Sequence, residues 1–455
     1  MDVTFESRRP PIWRIIALIA AIAGALGVLF AYRSRPSVVA VSPEMGAVNV
    51  PARAPLTLSF SASMDIESVE NALTISPSAN GTTTWDANTL TFTPSDAWPR
   101  GETIRITLTD DARSRFFLPL ENPLSTEFTV APTLLGYLFP AVGTANLFAL
   151  DPATGNTAQL TDLPGGVLDI TLNADQRSLL YTTVGKSGGE IWRYDLASRQ
   201  ATWIITCQDS LCLEPQLSPD GTMVAYLHTQ GAGEDSPNQV RVLELKDDRP
   251  AREYTPGPDT TRSQLPRWSD ANILCYYDVD RRAYIFYDPA EGDIKEVPNE
   301  TGELGTWTPT GLDFIFPEIA DVPGGLPTSR LLRFNYTSGL IEPLPHPAQA
   351  EDATPVFSPS GAEIAFGRKY LDAARWTPGR QLWVMGANGD DAQALTDSPF
   401  YNHTAFAWHP NGAQIAYQRA SQTDVSEPPE IWLIDANGEN AVRLLIGGYN
   451  PVWLP

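Results

Sequence analysis

Hydrophobic and polar residues alternate with a period of two in many short stretches of the chain, a pattern typical of half-buried β-strands. Three such stretches stand out near the N-terminal end, namely 56–61 (LTLSFS), 89–93 (TLTFT) and 103–109 (TIRITLT). Turns that contain proline or glycine separate them. We therefore predict an antiparallel, Ig-like β-sandwich over residues 37–130.

The rest of the chain repeats itself. A large apolar residue, followed in most copies by a small polar one, recurs at intervals of 39 to 51 residues. The apolar members are Leu172, Leu217, Trp268, Trp307, Phe357, Trp408 and Trp453. A period of about 40 to 50 residues with four short strands in each repeat is what a β-propeller requires. We predict an all-β chain in which residues 134–455 form a seven-bladed β-propeller, with six or eight blades as the alternative.

The two ends of the repeat region complement each other. Residues 134–161 supply three outer strands without an innermost one, whereas residues 450–455 (NPVWLP) supply an innermost strand alone. Left unpaired, both would leave exposed strand edges. We predict that Pro451, Val452 and Trp453 complete the first blade and close the ring.

A different pattern occupies the N-terminal end. Residues 15–32 carry no charge, and at about 1.5 Å of rise per residue a helix of this length crosses most of a bilayer core. We predict a cytoplasmic tail at 1–14 and a transmembrane signal anchor at 15–32, with the remaining domains outside the cytoplasm in a single-pass cell-membrane protein. The alternative is a cleaved signal peptide with Val38-Val39-Ala40 as the cleavage site.

Composition narrows the range of partners. The chain has 31 Lys and Arg against 54 Asp and Glu, a formal net charge of −23. Such a charge repels phosphate backbones, so we expect no nucleic-acid partner. Three cysteines are too few for a disulfide framework. Cys207 and Cys212 flank a four-residue loop, and the sequence leaves open whether they form a disulfide. Cys275 lies in an apolar stretch and is expected to be a buried thiol.

Candidate catalytic and metal-binding residues are few. None of the four histidines, His228, His346, His403 and His409, has a ligand partner at a recognisable metal-binding spacing. His409 takes the small polar position of a repeat, where it either approaches the central channel or lies beside a turn. Residues 185–189 (GKSGG) match Gly-x-Ser-x-Gly, but they lie between two strands instead of on a strand-to-helix turn. We expect no catalytic residue, no metal and no cofactor, and hence no enzyme.

Particular motifs resemble two known families. Residues 43–51 (PEMGAVNVP), 58–65 (LSFSASMD) and 90–108 resemble the SbsA-type bacterial Ig-like domain, whereas 110–118 departs from its pattern. This resemblance implies a spacer or adhesion module. The motifs LSPDGTMVAYL, FSPSGAEIAFG and WHPNGAQIAYQ, followed by EIWRYD, QLWVMG and EIWLID, resemble the TolB-type, WD-repeat-like propeller repeat. This second resemblance implies a platform that binds proteins or ligands.

We therefore expect a membrane-anchored cell-envelope scaffold whose propeller binds a protein or an oligosaccharide. Connections that exceed the repeat length are the predicted contact surface, because rigid blades can hold variable loops. They are residues 231–238, 319–329, 370–380 and 421–429. The alternative is an extracytoplasmic hydrolase or lyase acting at the channel, since the sequence of so acidic a protein leaves paired carboxylates open.

Overall fold

The structure, a computed structural model, describes residues 13, 16–24, 35–173, 177–230, 237–247, 249–320 and 327–454. The chain divides into two compact units, Met1–Thr133 and Leu134–Pro455. Strands dominate both, so the predicted all-β class is confirmed. The predicted tail, apart from Trp13, and half of the predicted anchor lie outside the described residues. Residues 16–24 of that anchor are helical. No helix among the described ranges is both long enough and apolar enough to cross a bilayer.

The N-terminal unit contains two antiparallel sheets and a short helix, Ile66–Ala72, which the Asp65 carboxylate caps at the Ser68 main-chain N–H. The sheets have the strand orders β1-β2-β5-β4 and β3-β6-β7. Their strands are β1 (Val38–Ser42), β2 (Leu56–Phe60), β3 (Leu73–Ser76), β4 (Gly81–Asp86), β5 (Thr89–Pro94), β6 (Thr103–Leu108) and β7 (Leu124–Thr129). Alternate residues of β2 and β6 enter one shared core, which explains the period of two in the sequence.

The C-terminal unit contains five four-stranded sheets and one eight-stranded sheet, all built from short antiparallel strands. The eight-stranded sheet consists of two four-stranded halves that a single parallel pair, Ser329 with Glu351, joins. The described residues thus form seven groups of four strands, numbered here as sheets 1 to 7 in chain order. Sheet 1 consists of β8 (Leu134–Phe139), β9 (Asn146–Leu150), β10 (Thr157–Gln159) and β35 (Tyr449–Leu454).

Sheets 2 to 7 each take four consecutive strands. Sheet 2 consists of β11 (Ile170–Leu172), β12 (Ser178–Val184), β13 (Gly188–Asp195) and β14 (Gln200–Gln208). Sheet 3 consists of β15 (Leu211–Leu217), β16 (Met223–Thr229), β17 (Asn238–Lys246) and β18 (Arg249–Tyr254). Sheet 4 consists of β19 (Ser263–Trp268), β20 (Leu274–Asp278), β21 (Ala283–Asp288) and β22 (Asp293–Pro298).

Sheet 5 consists of β23 (Thr306–Trp307), β24 (Asp313–Ala320), β25 (Thr328–Asn335) and β26 (Ile341–Pro343). Sheet 6 consists of β27 (Ala350–Phe357), β28 (Glu363–Tyr370), β29 (Gln381–Gly386) and β30 (Gln393–Ala394). Sheet 7 consists of β31 (Tyr401–Trp408), β32 (Gln414–Ser421), β33 (Glu430–Asp435) and β34 (Val442–Ile446).

Sheet 1 combines the two ends of the C-terminal unit. The structure places Pro451, Val452 and Trp453 in β35, which pairs antiparallel with β8. Gly136 of β8 lies directly opposite Val452. A Cβ atom at position 136 would stand 3.0 Å from the Leu454 side chain, so glycine there lets the two strands approach. β35 also contacts β31 and β11, the first strands of sheets 7 and 2.

β35 takes in sheet 1 the edge position that the first strand takes in each other sheet, and we count it as the first strand of sheet 1. Tryptophans of the repeat join the first strands of neighbouring sheets. The indole N–H of Trp453 donates to the main-chain oxygen of Ala407 in the preceding sheet, at 2.9 Å. The same bond recurs in three other sheets, where Trp268, Trp307 and Trp408 donate to Gln216, Arg267 and Val356. Leucine or phenylalanine in the remaining sheets cannot donate such a bond. The large apolar residue of the repeat is therefore a contact between sheets.

Five of the first strands also contain the same irregularity. The pairing register of β15, β19, β27, β31 and β35 shifts at one bulge. The residue with positive φ at each bulge is Glu214, Leu265, Thr354, Ala405 or Asn450. Proline follows it in every case but one. Since proline has no N–H to add to the ladder, its place beside the bulge is expected.

Candidate functional site

The longest connections of the C-terminal unit lie at one end of its sheets. In each antiparallel sheet, the connection between the second and third strands lies at the same end as the connection that leads into the first strand. Neighbouring first strands run in the same direction, because Asp169 and Thr171 bond to Glu214 and Gln216 at one constant offset. We call this end of the sheets, with its two kinds of connection, the loop face.

The four connections that sequence length singled out all join second strands to third strands, so they begin and end on the loop face. They span residues 230–237, 321–327, 371–380 and 422–429. Within them, residues 231–236 and 321–326 lie outside the described part of the chain. The other two can be followed in full.

Connection 371–380 folds back on its own sheet. The Arg375 guanidinium lies 3.7 Å above the Tyr370 ring and pairs with the Asp372 carboxylate at 2.6 Å. Gly379 packs against the main-chain oxygen of Tyr401 so closely that a side chain there would collide with it. The connection is thus held against the end of β28, where the main chain of Trp376 forms a bridge with Tyr370, while the Trp376 residue is 57% exposed.

Two other connections extend this apolar surface. Phe400, just before β31, is 58% exposed, and Val425, in connection 422–429, is 97% exposed. The main-chain N–H of Gln422 donates to the main-chain oxygen of Phe400 at 2.8 Å, which holds these two connections together. We call Trp376, Phe400 and Val425 the apolar tips of the loop face. Exposed apolar side chains grouped in this way are characteristic of interaction surfaces.

A buried ionic cluster lies in sheet 6. Asp352 of β27 and Arg368 of β28, 2% and 3% exposed, face each other across the sheet and form two hydrogen bonds of 2.6 and 2.7 Å. The Asp352 carboxylate also accepts a bond from His346 Nδ1 at 3.1 Å, and its main-chain oxygen accepts one from Ser329 Oγ. The sequence alone did not predict this cluster, although Asp352 and Arg368 occupy matching positions around the 358–362 turn.

Two carboxyl groups lie close together, because Asp169 comes just before β11 and Glu214 lies at the bulge of the neighbouring first strand, β15. Burial raises the pKa of Asp169, against the effect of the Glu214 N–H, 3.2 Å away, and the charge of Arg267. Burial also raises the pKa of Glu214, which Arg267 lowers and the Asp169 charge raises further. Glu214 Oε2 has no hydrogen-bond partner among the described residues. Within that same part of the chain, no three His, Cys, Asp or Glu side chains are grouped as a metal ion would need.

In the described part of the chain, one histidine side chain lies within hydrogen-bonding distance of a serine hydroxyl. Ser210 Oγ lies 3.0 Å from His228 Nε2. Burial and the charge of Arg241 lower the pKa of His228. Among the described residues no carboxylate bonds to its Nδ1, so the acid that normally orients a catalytic histidine is missing there. His409 lies beside a turn, with its Nδ1 2.6 Å from Asn411 Oδ1 and its ring against Trp453.

His403 is the most deeply buried histidine and gives the protein a pH dependence. The residue is 1% exposed, and its Nδ1 lies 2.8 Å from the Arg380 main-chain oxygen. Burial lowers its pKa from the usual 6.5 to about 4. The folded state keeps the His403 ring neutral, whereas the unfolded state binds a proton below about pH 6.5. The contribution of His403 to the free energy of unfolding is therefore complete above about pH 6.5 and is lost as the pH falls towards 4.

Between about pH 7 and pH 4.5, we expect the free energy of unfolding to fall by about 2 to 3 kcal/mol less in His403→Gln than in the wild type. Urea titrations at the two pH values measure it. His409→Gln, which changes a histidine at a turn, should retain the wild-type pH dependence. A His403→Gln variant that loses as much stability as the wild type would show that another group is responsible.

Cys207 and Cys212 form a disulfide, with Cα atoms 5.9 Å apart, where the chain passes from sheet 2 to sheet 3. Cys275 is buried and free, and burial raises its pKa. The disulfide loop crosses tightly over the Gly-x-Ser-x-Gly motif. A Cβ atom on Gly189 would stand 2.6 Å from Cys212 N, and Gly188 has a φ of 139°. Glycine at these two positions lets the two backbones pack closely, and this packing accounts for the motif without a catalytic role.

Comparison with known proteins supports the division into two folds. Residues 33–130 match the bacterial Ig-like domain family. No curated protein matches the chain significantly in sequence. Similar solved structures include TolB from Acinetobacter baumannii, at 12% identity and a TM-score of 0.45, covering 84% of this chain and 83% of that one. The β-propeller domain of the trilobed protease from Pyrococcus furiosus gives 8% identity and a TM-score of 0.49, covering 77% and 94%.

A structure described in a study of two prolyl endopeptidases is also similar, at 11% identity and a TM-score of 0.51. The alignment covers 83% of this chain and 50% of that one. At such identities the similarity concerns the fold alone. Together with the seven groups of strands, it supports the predicted fold, an Ig-like domain followed by a β-propeller.

Proposed function

We propose that the protein is a membrane-anchored binding protein of the cell envelope, which holds a protein partner on the loop face of a seven-bladed propeller and catalyses no reaction. The observation that carries this proposal is the group of apolar tips, Trp376, Phe400 and Val425, on three neighbouring connections. Contact of these apolar side chains with water is unfavourable in free energy, and a bound partner that covers them removes this contact.

The seven-bladed arrangement supports this role. Each sheet is one blade, and the tryptophan bonds between first strands join four of the neighbouring pairs. Because β35 contacts both β31 and β11, the series of sheets returns to its beginning. A ring of this kind holds its connections rigidly while their sequences vary.

The charge around the apolar tips specifies the partner's chemistry. Asp397 is exposed in the same connection as Phe400, and Asp424 and Glu427 lie in the connection that carries Val425. Across the chain, acidic residues exceed basic ones by 23. A partner segment that combines apolar residues with lysine or arginine is complementary to this surface.

The proposed anchor is residues 15–32, of which 16–24 are helical in the described part of the chain. Its uncharged sequence supports membrane insertion. If this part of the proposal holds, washing membranes with carbonate leaves the protein in the membrane fraction. Release by the wash would exclude the anchor and leave the binding role to be judged by itself.

Replacing Trp376 and Phe400 together by serine should reduce partner binding at least about tenfold, because exposed aromatic anchors carry a large share of the binding energy. A photo-crosslinking amino acid at position 425 captures the partner in envelope extract, and the yield with and without the two substitutions measures the effect. Capture should also weaken as the salt concentration rises.

Trp203→Ser is the matched control, since Trp203 is 45% exposed on the outer strand β14. It should leave the crosslinking yield unchanged. An undiminished yield in the double variant would rule out the apolar tips as the binding surface. Captured material that is glycan instead of protein would overturn the proposed class of partner.

A further inference from the structure

Two adjacent phenylalanines of the N-terminal unit lie on its surface. Phe116 and Phe117 are 85% and 73% exposed, and neither ring belongs to the core of the unit. They lie between β6 and β7, where residues 110–118 depart from the pattern of Ig-like domains. Contact of two neighbouring aromatic rings with water is unfavourable, so the pair indicates a surface that another molecule or a lipid phase covers.

Hydrogen bonds hold these rings outside the fold. We call residues 113–119 the aromatic loop, and a main-chain bridge joins its two ends. The Phe116 N–H donates to Ser114 Oγ at 3.3 Å, and the Phe117 N–H donates to the main-chain oxygen of Ser114 at 2.8 Å. Phe117 has a φ of 60°, which is uncommon for an aromatic residue. The loop therefore presents both rings at its tip instead of folding them inward.

Two arginines accompany the rings. Arg113 and Arg115 are exposed, and neither guanidinium forms an ion pair with a described residue. The aromatic loop contains no acidic residue, whereas Asp110 and Asp111 come before it, at its base. This local positive charge contrasts with the net charge of −23 of the whole chain. Rings at the tip, guanidinium groups behind them and carboxylates at the base follow the order of acyl chains, phosphates and water at a bilayer surface.

The aromatic loop lies at the end of the unit where the chain enters from the proposed anchor. The Arg115 N–H donates to the main-chain oxygen of Ser63 at 3.0 Å, and the Glu121 N–H donates to that of Pro36 at 2.8 Å. Pro36 comes four residues after position 32, where the proposed anchor ends. Four extended residues span about 14 Å at most. An inserted anchor therefore holds this end of the unit, with its loop, beside the membrane surface.

We propose that the aromatic loop is a second membrane contact, in which Phe116 and Phe117 enter the interface of the bilayer and Arg113 and Arg115 bind lipid phosphates. Guanidinium groups suit phosphate because they form two parallel hydrogen bonds with it. A single helix leaves the unit free to turn about its tether, whereas a second contact fixes the orientation of the unit on the membrane. The contact rests on the proposed anchor but not on the protein partner of the loop face.

Photo-crosslinking in lipid vesicles tests this contact. A benzophenone amino acid replaces Phe116 in the full chain, which is reconstituted into vesicles of phosphatidylcholine and phosphatidylglycerol. Irradiation should attach lipid to position 116 at least about tenfold more than to position 45, as measured by mass spectrometry. Met45 is the matched position, because it is 70% exposed and follows the end of β1 that is opposite to Pro36.

Phe117→Asn should lower the lipid yield about threefold or more, because it removes one of the two apolar rings. Asparagine adopts a positive φ more readily than phenylalanine, so the loop keeps its shape. The double variant Arg113→Gln with Arg115→Gln should also lower the yield about threefold or more. Arg105→Gln, which removes an exposed arginine of β6 that already has an ion-pair partner, should leave the yield unchanged.

The outcomes distinguish the anchor from the loop. Release of the protein by a carbonate wash excludes the anchor and, with it, the loop contact. Retention through the wash without lipid at position 116, or with equal yields at positions 116 and 45, overturns the loop contact alone. Adducts within the chain or to a second copy in place of lipid, or an undiminished yield in the folded variants, also overturn it. Thermal unfolding checks the variants, and if either Phe117→Asn or the arginine variant fails to fold, the other decides.

Discussion

Removing residues 449–455 is expected to unfold the C-terminal unit cooperatively at a much lower temperature. Without β35, the β8 edge is unpaired, and the buried Leu135 and Leu138 lose their cover. The bond from Trp453 to Ala407 and the contact of β35 with β11 disappear as well. Since sheet 1 is the only sheet built from both ends of the unit in the described chain, its loss opens the whole series.

The single substitution Trp453→Ala isolates the main contact within β35. Trp453 is buried, and truncating a buried tryptophan costs about 3 to 5 kcal/mol. Urea unfolding followed by circular dichroism gives the loss in free energy of unfolding. Trp203→Ala, on an outer strand, is the control and should cost less than about 1 kcal/mol.

A truncated protein that melts at the wild-type temperature would show that sheets 1 and 7 do not need β35, and the closed ring would have to be abandoned. A loss confined to Trp453→Ala and absent in Trp453→Phe would assign the effect to side-chain volume. A loss in both would assign part of it to the indole bond.

Asp352→Asn is expected to be the most destabilising charge change in the protein, at about 3 to 5 kcal/mol. The substitution leaves the Arg368 guanidinium buried without its counter-ion, and it weakens the bond to His346. Stacking of Arg368 over Trp383, at 5.0 Å, cannot replace a charge–charge contact. Denaturant titration at neutral pH measures the effect.

Glu300→Gln is the matched control. Glu300 pairs with Arg282 at 2.9 Å, but both side chains are largely exposed, so solvent screens the pair. The expected cost is below about 1 kcal/mol. The double variant Asp352→Asn with Arg368→Met should recover part of the lost stability, because it removes the stranded charge. If Asp352→Asn proves as mild as Glu300→Gln, water reaches the buried pair and the cluster is not as closed as its burial indicates.

The sequence predicted the repeating part of this protein well. Alternation located the strands, because a strand exposes every second side chain to one core. The recurring apolar residue marked the first strand of each sheet, and its tryptophans proved to join neighbouring sheets. The bulge in these strands was not predicted, although proline follows the residue with positive φ in four of the five.

The features that distinguish one sheet from another were harder to predict. Asp352, Arg368 and His346 follow no motif, because a strand, its neighbour and a connection each supply one of them. Only the pairing register of β27 with β28 shows that Asp352 faces Arg368. Likewise, the Gly-x-Ser-x-Gly match could be explained only once Gly189 was seen beneath the disulfide loop.

The sequence by itself determined the all-β class, the period of the repeat and the chemistry of its turns, because each depends on residues close together in the chain. The tertiary structure alone decided which distant residues meet: Ser329 bonds to Asp352, the Glu214 N–H bonds to Asp169, and the Gln422 N–H bonds to Phe400. These contacts join residues from separate repeats or connections, and loop geometry and strand register position them. Local pattern carries no information about either, whereas the folded sheets specify both.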